Sequence, residues 1–299
     1  MLKRVVFILE KENAQAELSE LMAELAANNV EACIKNVHDI LKDNVNVTEN
    51  FKNKNDDILL QTENAELPDI LFITDNAACQ MILKINRLPV IVYLHEKNTN
   101  EIFSHAEYAI EQIEEVEYES LKLAYLRLTG QPWTILTTDR CVVRETTAED
   151  ADSFYEIYKE PSITRYMEDL YDDKAAEVAY IQDYIRNVYA FYGYGMWTVV
   201  DKKSSEVIGR AGISWREGFD IPELGFVIAV PYQRQGYAYE VCRAILEYGK
   251  TELGFMRIQA LVMEGNEMSK ALCRKLGFKY SSKIVVDNVQ YNRLTWESI

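Results

Sequence analysis

Long apolar runs are missing from this 299-residue chain. No stretch approaches the roughly 18 residues that a membrane-crossing helix needs. The apolar start at residues 5–9 is short, is followed by Glu10, Lys11 and Glu12, and has no small-residue cleavage site. It therefore reads as a first strand and not as a signal peptide. Cysteine is scarce and unpatterned. Cys33, Cys79, Cys141, Cys242 and Cys273 are odd in number, no pair has CxxC spacing, and none of the three histidines accompanies a closely spaced cysteine pair. That excludes a disulfide scaffold and argues against a Cys/His zinc site, while free thiols fit a reducing compartment. We expect a cytoplasmic protein with no metal and no membrane association. A basic balance is also lacking: the formal net charge is −16. Such a chain is a poor nucleic-acid binder, because phosphate neutralisation needs clustered Lys and Arg. Acidity attracts cationic partners such as amines or basic peptides, or simply keeps the protein soluble. A Walker loop, a GxGxxG stretch and internal repeats are absent as well.

At roughly 100–200 residues per domain, the length implies two domains. Hydrophobic content of 48% suffices for buried cores. The acidity is uneven: residues 1–132 hold 12 Lys+Arg against 23 Asp+Glu, and the remainder 20 against 25. Gly130-Gln131-Pro132 punctuates the chain, which places the expected domains at 1–130 and 133–299. In the first half, apolar β-rich runs at 5–9, 70–74, 90–94 and 108–110 alternate with helical spacings at 14–27, 77–85 and 118–128. Asp75-Asn76 can start the second of these helices. Strands alternating with helices predict a small parallel α/β domain, Rossmann-like in build. The polar, Asn-rich stretch 44–64 is expected to be weakly ordered.

The second half reads differently. A strand at Cys141-Val142-Val143-Arg144 precedes Thr147, which can cap a helix whose third residue is Asp150. That helix runs through Phe154 and Ile157. A break from Pro161 to Leu170 follows, then a tyrosine-rich helix over 172–190. Strands at 196–200 and 207–215 flank the loop Asp201-Lys202-Lys203-Ser204-Ser205. This predicts a mixed, mostly antiparallel α+β domain.

The chemistry concentrates after a strand that ends at Pro231. Gln233-Arg234-Gln235-Gly236-Tyr237-Ala238 forms a loop that opens a helix carrying Val241, Ile245 and Tyr248. A helix start offers unpaired backbone N–H groups and the positive end of the helix dipole, which suits a pyrophosphate. Gly236 and Ala238 let phosphates approach the backbone, and Gln233 and Arg234 can add donors.

Here the chain resembles the GNAT N-acetyltransferases, in particular their RimJ/RimL-like branch. Gln233-x-x-Gly236-x-Ala238 after a strand matches the family's Gln/Arg-x-x-Gly-x-Gly/Ala signature. Glu-Leu-Gly-Phe-Val-Ile before it and Tyr239-Glu240 after it strengthen the match. A second block, from Asn266 through Ser269 to Lys275-Leu276-Gly277-Phe278, follows a strand at 258–263. The resemblance covers residues 133–299. It implies an enzyme that transfers an acetyl group from acetyl-CoA to an amine, a protein N-terminus or a small molecule, by direct attack in a ternary complex. Main-chain groups of Ile228, Ala229 and Val230 would hold the pantetheine arm, Gln233 to Ala238 the pyrophosphate, and Asn266 the arm near its bend.

The amine must lose a proton to attack, so a base is needed. Glu223, at the start of the pantetheine strand, is the candidate base, and Ser269 is the candidate proton donor. The family's tyrosine acid is missing, since its position holds Cys273. Glu264 and Glu217 are alternative bases. The acceptor pocket is expected to draw on Tyr166, Met167, Tyr171, Trp197 and Trp215. The alternative function is a non-catalytic module that senses acyl-CoA. In the first half, Asp75 stands at a strand end, and 69–96 faintly resembles haloacid-dehalogenase-like or receiver-like domains, without their paired acids. A non-catalytic regulatory or docking domain is expected there.

Overall fold

Strand alternation explains the first unit. On β1 (Arg4–Leu9) Val5, Phe7 and Leu9 enter one core, while Val6 and Ile8 enter another. On β3 (Ile70–Thr74) Leu71 and Ile73 join the first core and Phe72 the second. A strand buried on both faces is the signature of a parallel sheet clothed by helices on both sides. The first core takes α1 (Ser19–Ala27), through Leu21 and Leu25, and α3 (Tyr118–Leu128), through Leu121 and Tyr125. The second takes α2 (Ala77–Ile85), through Cys79 and Leu83. With β2 (Glu31–Asn36), β4 (Val90–Tyr93) and β5 (Ala109–Ile110), the sheet runs β2-β1-β3-β4-β5, all parallel. Asn76 caps α2 by accepting the Cys79 N–H at 3.0 Å. The α3 helix ends in a Schellman motif. Gly130 has φ +68, its N–H donates to Arg127, and the Gln131 N–H donates to Leu126.

The computed structural model describes residues 1–10, 17–38, 69–104, 106–167 and 169–298. The chain divides into two compact units, Met1–Gln131 and Pro132–Ile299. The Asn-rich stretch 44–64 lies outside the described residues, as does the start of the expected helix at 14–16. Among the described residues no helix is long and apolar enough to cross a membrane.

The second unit is built on one mixed sheet of order β12-β13-β11-β10-β9-β8-β7-β6. Its strands are β6 (Thr134–Thr137), β7 (Cys141–Arg144), β8 (Met196–Asp201), β9 (Val207–Ser214), β10 (Glu223–Ile228), β11 (Arg257–Met263), β12 (Lys279–Val286) and β13 (Val289–Glu297). All neighbours pair antiparallel except β10 with β11, which are parallel. One face packs on α7 (Tyr237–Thr251) and α8 (Glu267–Lys275), burying Val241, Cys242, Ile245 and Cys273. The other face packs on α4 (Ala151–Tyr158), α5 (Pro161–Thr164) and α6 (Lys174–Tyr184), through Phe154, Ile157, Ile163 and Ile181. Thr147 and Asp150 form the expected capping box ahead of α4. The tyrosine-rich helix starts at Lys174, capped by Asp173, and widens into a π-turn over Ile185–Tyr189. Four strands were not expected, among them β6, which pairs with β7 at one edge of the sheet. β2 is a weakly apolar edge strand, and β12 and β13 form a closing hairpin whose β12 alternates exposed and half-buried residues.

Candidate active site

The sheet of the second unit opens near its centre. β10 and β11 share one register position, Glu223 opposite Gln259. There the Gln259 N–H donates to the Pro222 carbonyl at 2.8 Å, and the buried Gln259 side-chain amide donates to Ile221 at 3.2 Å. Beyond that point each strand follows its outer neighbour. β10 stays in register with β9 as far as Ile228 opposite Gly209, and β11 with β13 as far as Met263 opposite Tyr291. The inner edges therefore diverge into a notch. The Ala229 N–H faces β9, donating to Ile208 at 2.8 Å. By alternation, the amides of Phe226 and Ile228 face the other way, into the notch. An extended arm bearing amides can pair with such an edge as an added strand.

The notch leads to the loop before α7. A short 3-10 turn at Val230–Tyr232 carries the chain out of β10. Arg234 then has φ 57 and Gly236 φ +88, and Gly236 is the N-cap of α7 without a side-chain cap. The first amide to bond back into the helix is Glu240, to Gly236 at 3.0 Å. The N–H groups of Tyr237, Ala238 and Tyr239 thus stand at the open, positive helix end. The loop is braced from behind. Gln233 Nε2 donates to Ile228 O at 2.8 Å and Gln235 Nε2 to Pro231 O at 2.6 Å. Arg140 donates to Gln235 O at 3.0 Å, pairs with Glu240 at 2.7 Å, and lies 4.0 Å over the Tyr237 ring. Tyr237 in turn donates to Asp201 at 3.0 Å. The Ser204 backbone bond and the Tyr237 hydroxyl hold the Asp201 carboxyl below its ordinary range. Arg140, which nothing in the sequence pattern singles out, is therefore the bracket of the loop.

A cleft of about 1890 Å³ joins these parts. Of the expected cofactor residues, Ile228, Gln233, Arg234, Gly236, Tyr237, Ala238 and Asn266 line it. Ala229, Val230 and Gln235 do not. Ala229 is turned to β9, and the Gln235 side chain is spent on the loop itself. Asn266 caps α8, its Oδ1 accepting the Ser269 N–H at 3.1 Å. Ser269 lines the cleft with a hydroxyl that the cap does not use.

Glu223 also lines the cleft, and its carboxylate is gripped by Arg216, with Nε to Oε2 at 2.6 Å and Nη2 to Oε1 at 3.5 Å. Glu217 lines the cleft on an exposed turn. Glu264 lies outside the lining and pairs with Lys283 at 2.8 Å, which holds its carboxyl below the ordinary range. Cys273 is fully buried, and burial pushes its thiol up to about 12. Burial likewise pushes up Cys242. Neither thiol can serve as an acyl carrier or a proton donor near neutrality.

Among the expected acceptor residues, Tyr166, Met167, Tyr171 and Trp215 line the cleft. Trp197 does not, and its assignment is corrected. It is fully buried on β8, edge-on to Tyr248 at 5.7 Å, in the core beneath α7. Alternation along β8 turns its neighbour Met196 toward the cleft and Trp197 away from it. The cleft also holds residues that sequence reasoning passed over, chiefly Arg210 on β9 and Glu177 on α6. A charge at the middle of an otherwise apolar strand was the available signal for Arg210. Glu177 gave none. In the first unit Asp75 is buried at the carboxyl end of β3. It accepts the Glu10 N–H at 2.9 Å and lies 3.2 Å from His95 Nε2.

Comparison with known proteins bears on the second unit. The family model described as "Acetyltransferase (GNAT) domain" matches residues 140–279. The uncharacterized protein YkkB of Bacillus subtilis is 33% identical over 156 residues, which are 50% of this chain and 88% of that protein. The [ribosomal protein uS5]-alanine N-acetyltransferase of Escherichia coli is 30% identical over 158 residues, 50% of this chain and 79% of the enzyme. Among solved structures, a putative GnaT-family acetyltransferase from Bordetella pertussis is 25% identical, with a TM-score of 0.44. It covers 54% of this chain and 97% of its own.

Proposed function

This chain belongs to the GNAT family of acyl-CoA-dependent N-acetyltransferases, and we propose that its second unit transfers an acetyl group from acetyl-CoA to an amine by direct attack in a ternary complex. The notch between β10 and β11, continuous with the amide-rich start of α7, is the observation that carries this reading. The pantetheine arm pairs with the inner edge of β10 at Phe226 and Ile228. The pyrophosphate meets the N–H groups that follow Gly236, beside Arg234. Asn266 holds the arm near its bend. Glu223, oriented by Arg216, accepts the proton of the attacking amine through water. The amine nitrogen bonds to the acetyl carbon, the oxyanion is met by a β10 N–H, and the C–S bond then breaks. Ser269 relays a proton to the departing sulfur and recovers one from solvent. The acceptor is a small amine or a peptide N-terminus. The first unit serves as a regulatory or docking domain, and the protein works in the cytoplasm.

The test is Glu223→Gln, which keeps size and hydrogen bonding but removes basicity. General-base contributions are about 10²–10⁴-fold, or about 3–5 kcal/mol. kcat/KM should fall by that factor at pH 7 with CoA affinity nearly unchanged. The loss should shrink at higher pH, where more acceptor is already deprotonated. Near-normal turnover of the variant at pH 7 would remove Glu223 from the mechanism and move the search to Glu217.

A further inference from the structure

The face of the sheet that carries Glu223 carries a second charged position. β9 and β10 pair Ser214 with Glu223, Gly212 with Gly225, and Arg210 with Val227. Residues two apart share a face, so Glu223 and Arg210 point to the same side, four residues apart along the ladder. Val227 packs into the core beneath α4, α5 and α6, which identifies that side as the helix-covered one. Between the two charges the floor has no side chains of its own. A Cβ on Gly225 would stand 2.9 Å from Met196 Sδ, because Met196 lies across it.

Arg210 is unusually placed for a cation. Its guanidinium sits 4.7 Å over the Phe154 ring and lines the cleft, and its Nε is buried with no partner among the described residues. Tyr158 hydrogen-bonds the guanidinium, with Tyr184 and Tyr189 beside it, and burial pushes all three hydroxyls up, so the groups that meet the cation are neutral and leave its charge unbalanced. Glu177 is the complementary case. It is 2% exposed and lines the same cleft. Its Oε2 accepts the Tyr171 N–H at 3.2 Å, while Oε1 is buried with no partner among the described residues. A half-buried cation met only by neutral groups, and a buried carboxylate with one oxygen unmet, are costly unless a ligand completes them.

We propose that Arg210 and Glu177 form the acceptor-recognition pocket, and that the acceptor is an amino-acid- to dipeptide-sized amine with a free carboxylate. The carboxylate meets the Arg210 guanidinium, an N–H of the ligand meets Glu177 Oε1, and the reacting amine lies toward Glu223. The ruler is the strand itself. Four residues at about 3.4 Å put the two backbone positions about 14 Å apart. Both side chains stand roughly perpendicular to the sheet, so that span is filled by the ligand and its contacts: a water beside Glu223, hydrogen bonds of about 2.8 Å at each step, and one or two residues at about 3.5 Å each. This inference rests on the transferase reading for which end of the ligand reacts.

The experiment uses the full chain, loaded with CoA for calorimetry and supplied with acetyl-CoA for turnover. The probes are free amino acids and dipeptides, each beside its own C-terminal amide, with spermidine as a carboxylate-free comparator. The best acid should exceed its amide about ten- to hundredfold in kcat/KM, the range for a hydrogen bond to a charged group. Arg210→Gln should collapse that ratio toward one while CoA affinity holds. Arg210→Lys should restore part of it, and Glu177→Gln should weaken acid and amide alike. An acid-to-amide ratio near one in the unaltered protein overturns the pocket, whatever becomes of the variants. So does preference for spermidine, or failure of every acid to bind. Acids that bind in preference to amides without being acetylated would uphold the pocket and sink the transferase reading.

Discussion

Replacing Gly236 separates two contributions that one residue makes. Its φ of +88 is a conformation that side-chain-bearing residues pay about 1–2 kcal/mol to adopt. Space is not the obstacle, since a Cβ there would meet Arg140 Nη2 at 3.5 Å, an ordinary contact. Gly236→Ala should therefore cost about 1–2 kcal/mol of stability and change CoA affinity by less than about tenfold. Gly236→Glu adds a carboxylate at the anion end of α7. Arg140 is already committed to Glu240 and offers it little relief. At an effective dielectric of about 20, a charge about 6 Å from one phosphate opposes binding by about 3 kcal/mol. Gly236 is exposed, and salt screens about half of that. Two phosphates then give about 3 kcal/mol, or about a hundredfold in Kd beyond the alanine variant. Calorimetry of CoA binding to the three proteins reads this difference. If Gly236→Glu binds CoA as tightly as Gly236→Ala, the pyrophosphate does not sit at this helix start.

Three further outcomes follow from the structure. Trp197→Ala should destabilise the protein by about 3–5 kcal/mol in denaturant titration, because it empties the core under α7, yet leave acceptor KM unchanged in the folded fraction. Asp201 and Glu240 have carboxyls held below their ordinary values of 3.8 and 4.5. The stability they contribute is present above those values and lost as pH falls through the depressed range. CoA affinity and Tm should then drop together on acidification below about pH 4, and Asp201→Asn should flatten part of that limb. A fragment spanning Pro132–Ile299 should fold and bind CoA, since every residue lining the cleft lies within it. A folded fragment without CoA binding would assign the first unit a part in the site.

What could be read from the sequence followed local pattern. The β10–loop–α7 segment was legible because an apolar strand, Pro231 and Gly236 punctuate it unambiguously. The parallel build of the first unit was legible because its strands are short, apolar and spaced by helices. β2 escaped because Glu-Ala-Cys-Ile-Lys-Asn shows no clear period, as an edge strand needs none. Trp197 misled because aromatic residues near a site look alike in sequence. One residue of register on β8 decides whether such a side chain faces the cleft or the core. Arg140, Arg210 and Glu177 act through partners 95 and more residues away, or from opposite walls of the cleft, and no local spacing announces that.

Acetyl transfer itself is tested most directly by incubating the full chain with acetyl-CoA and a panel of amines, following free CoA thiol and the acetylated amine by mass spectrometry. At least one amine should be acetylated, with thiol released one-for-one and only when that amine is present. CoA binding confirmed by calorimetry, with no amine acetylated across acids, amides, peptides and polyamines, would contradict it.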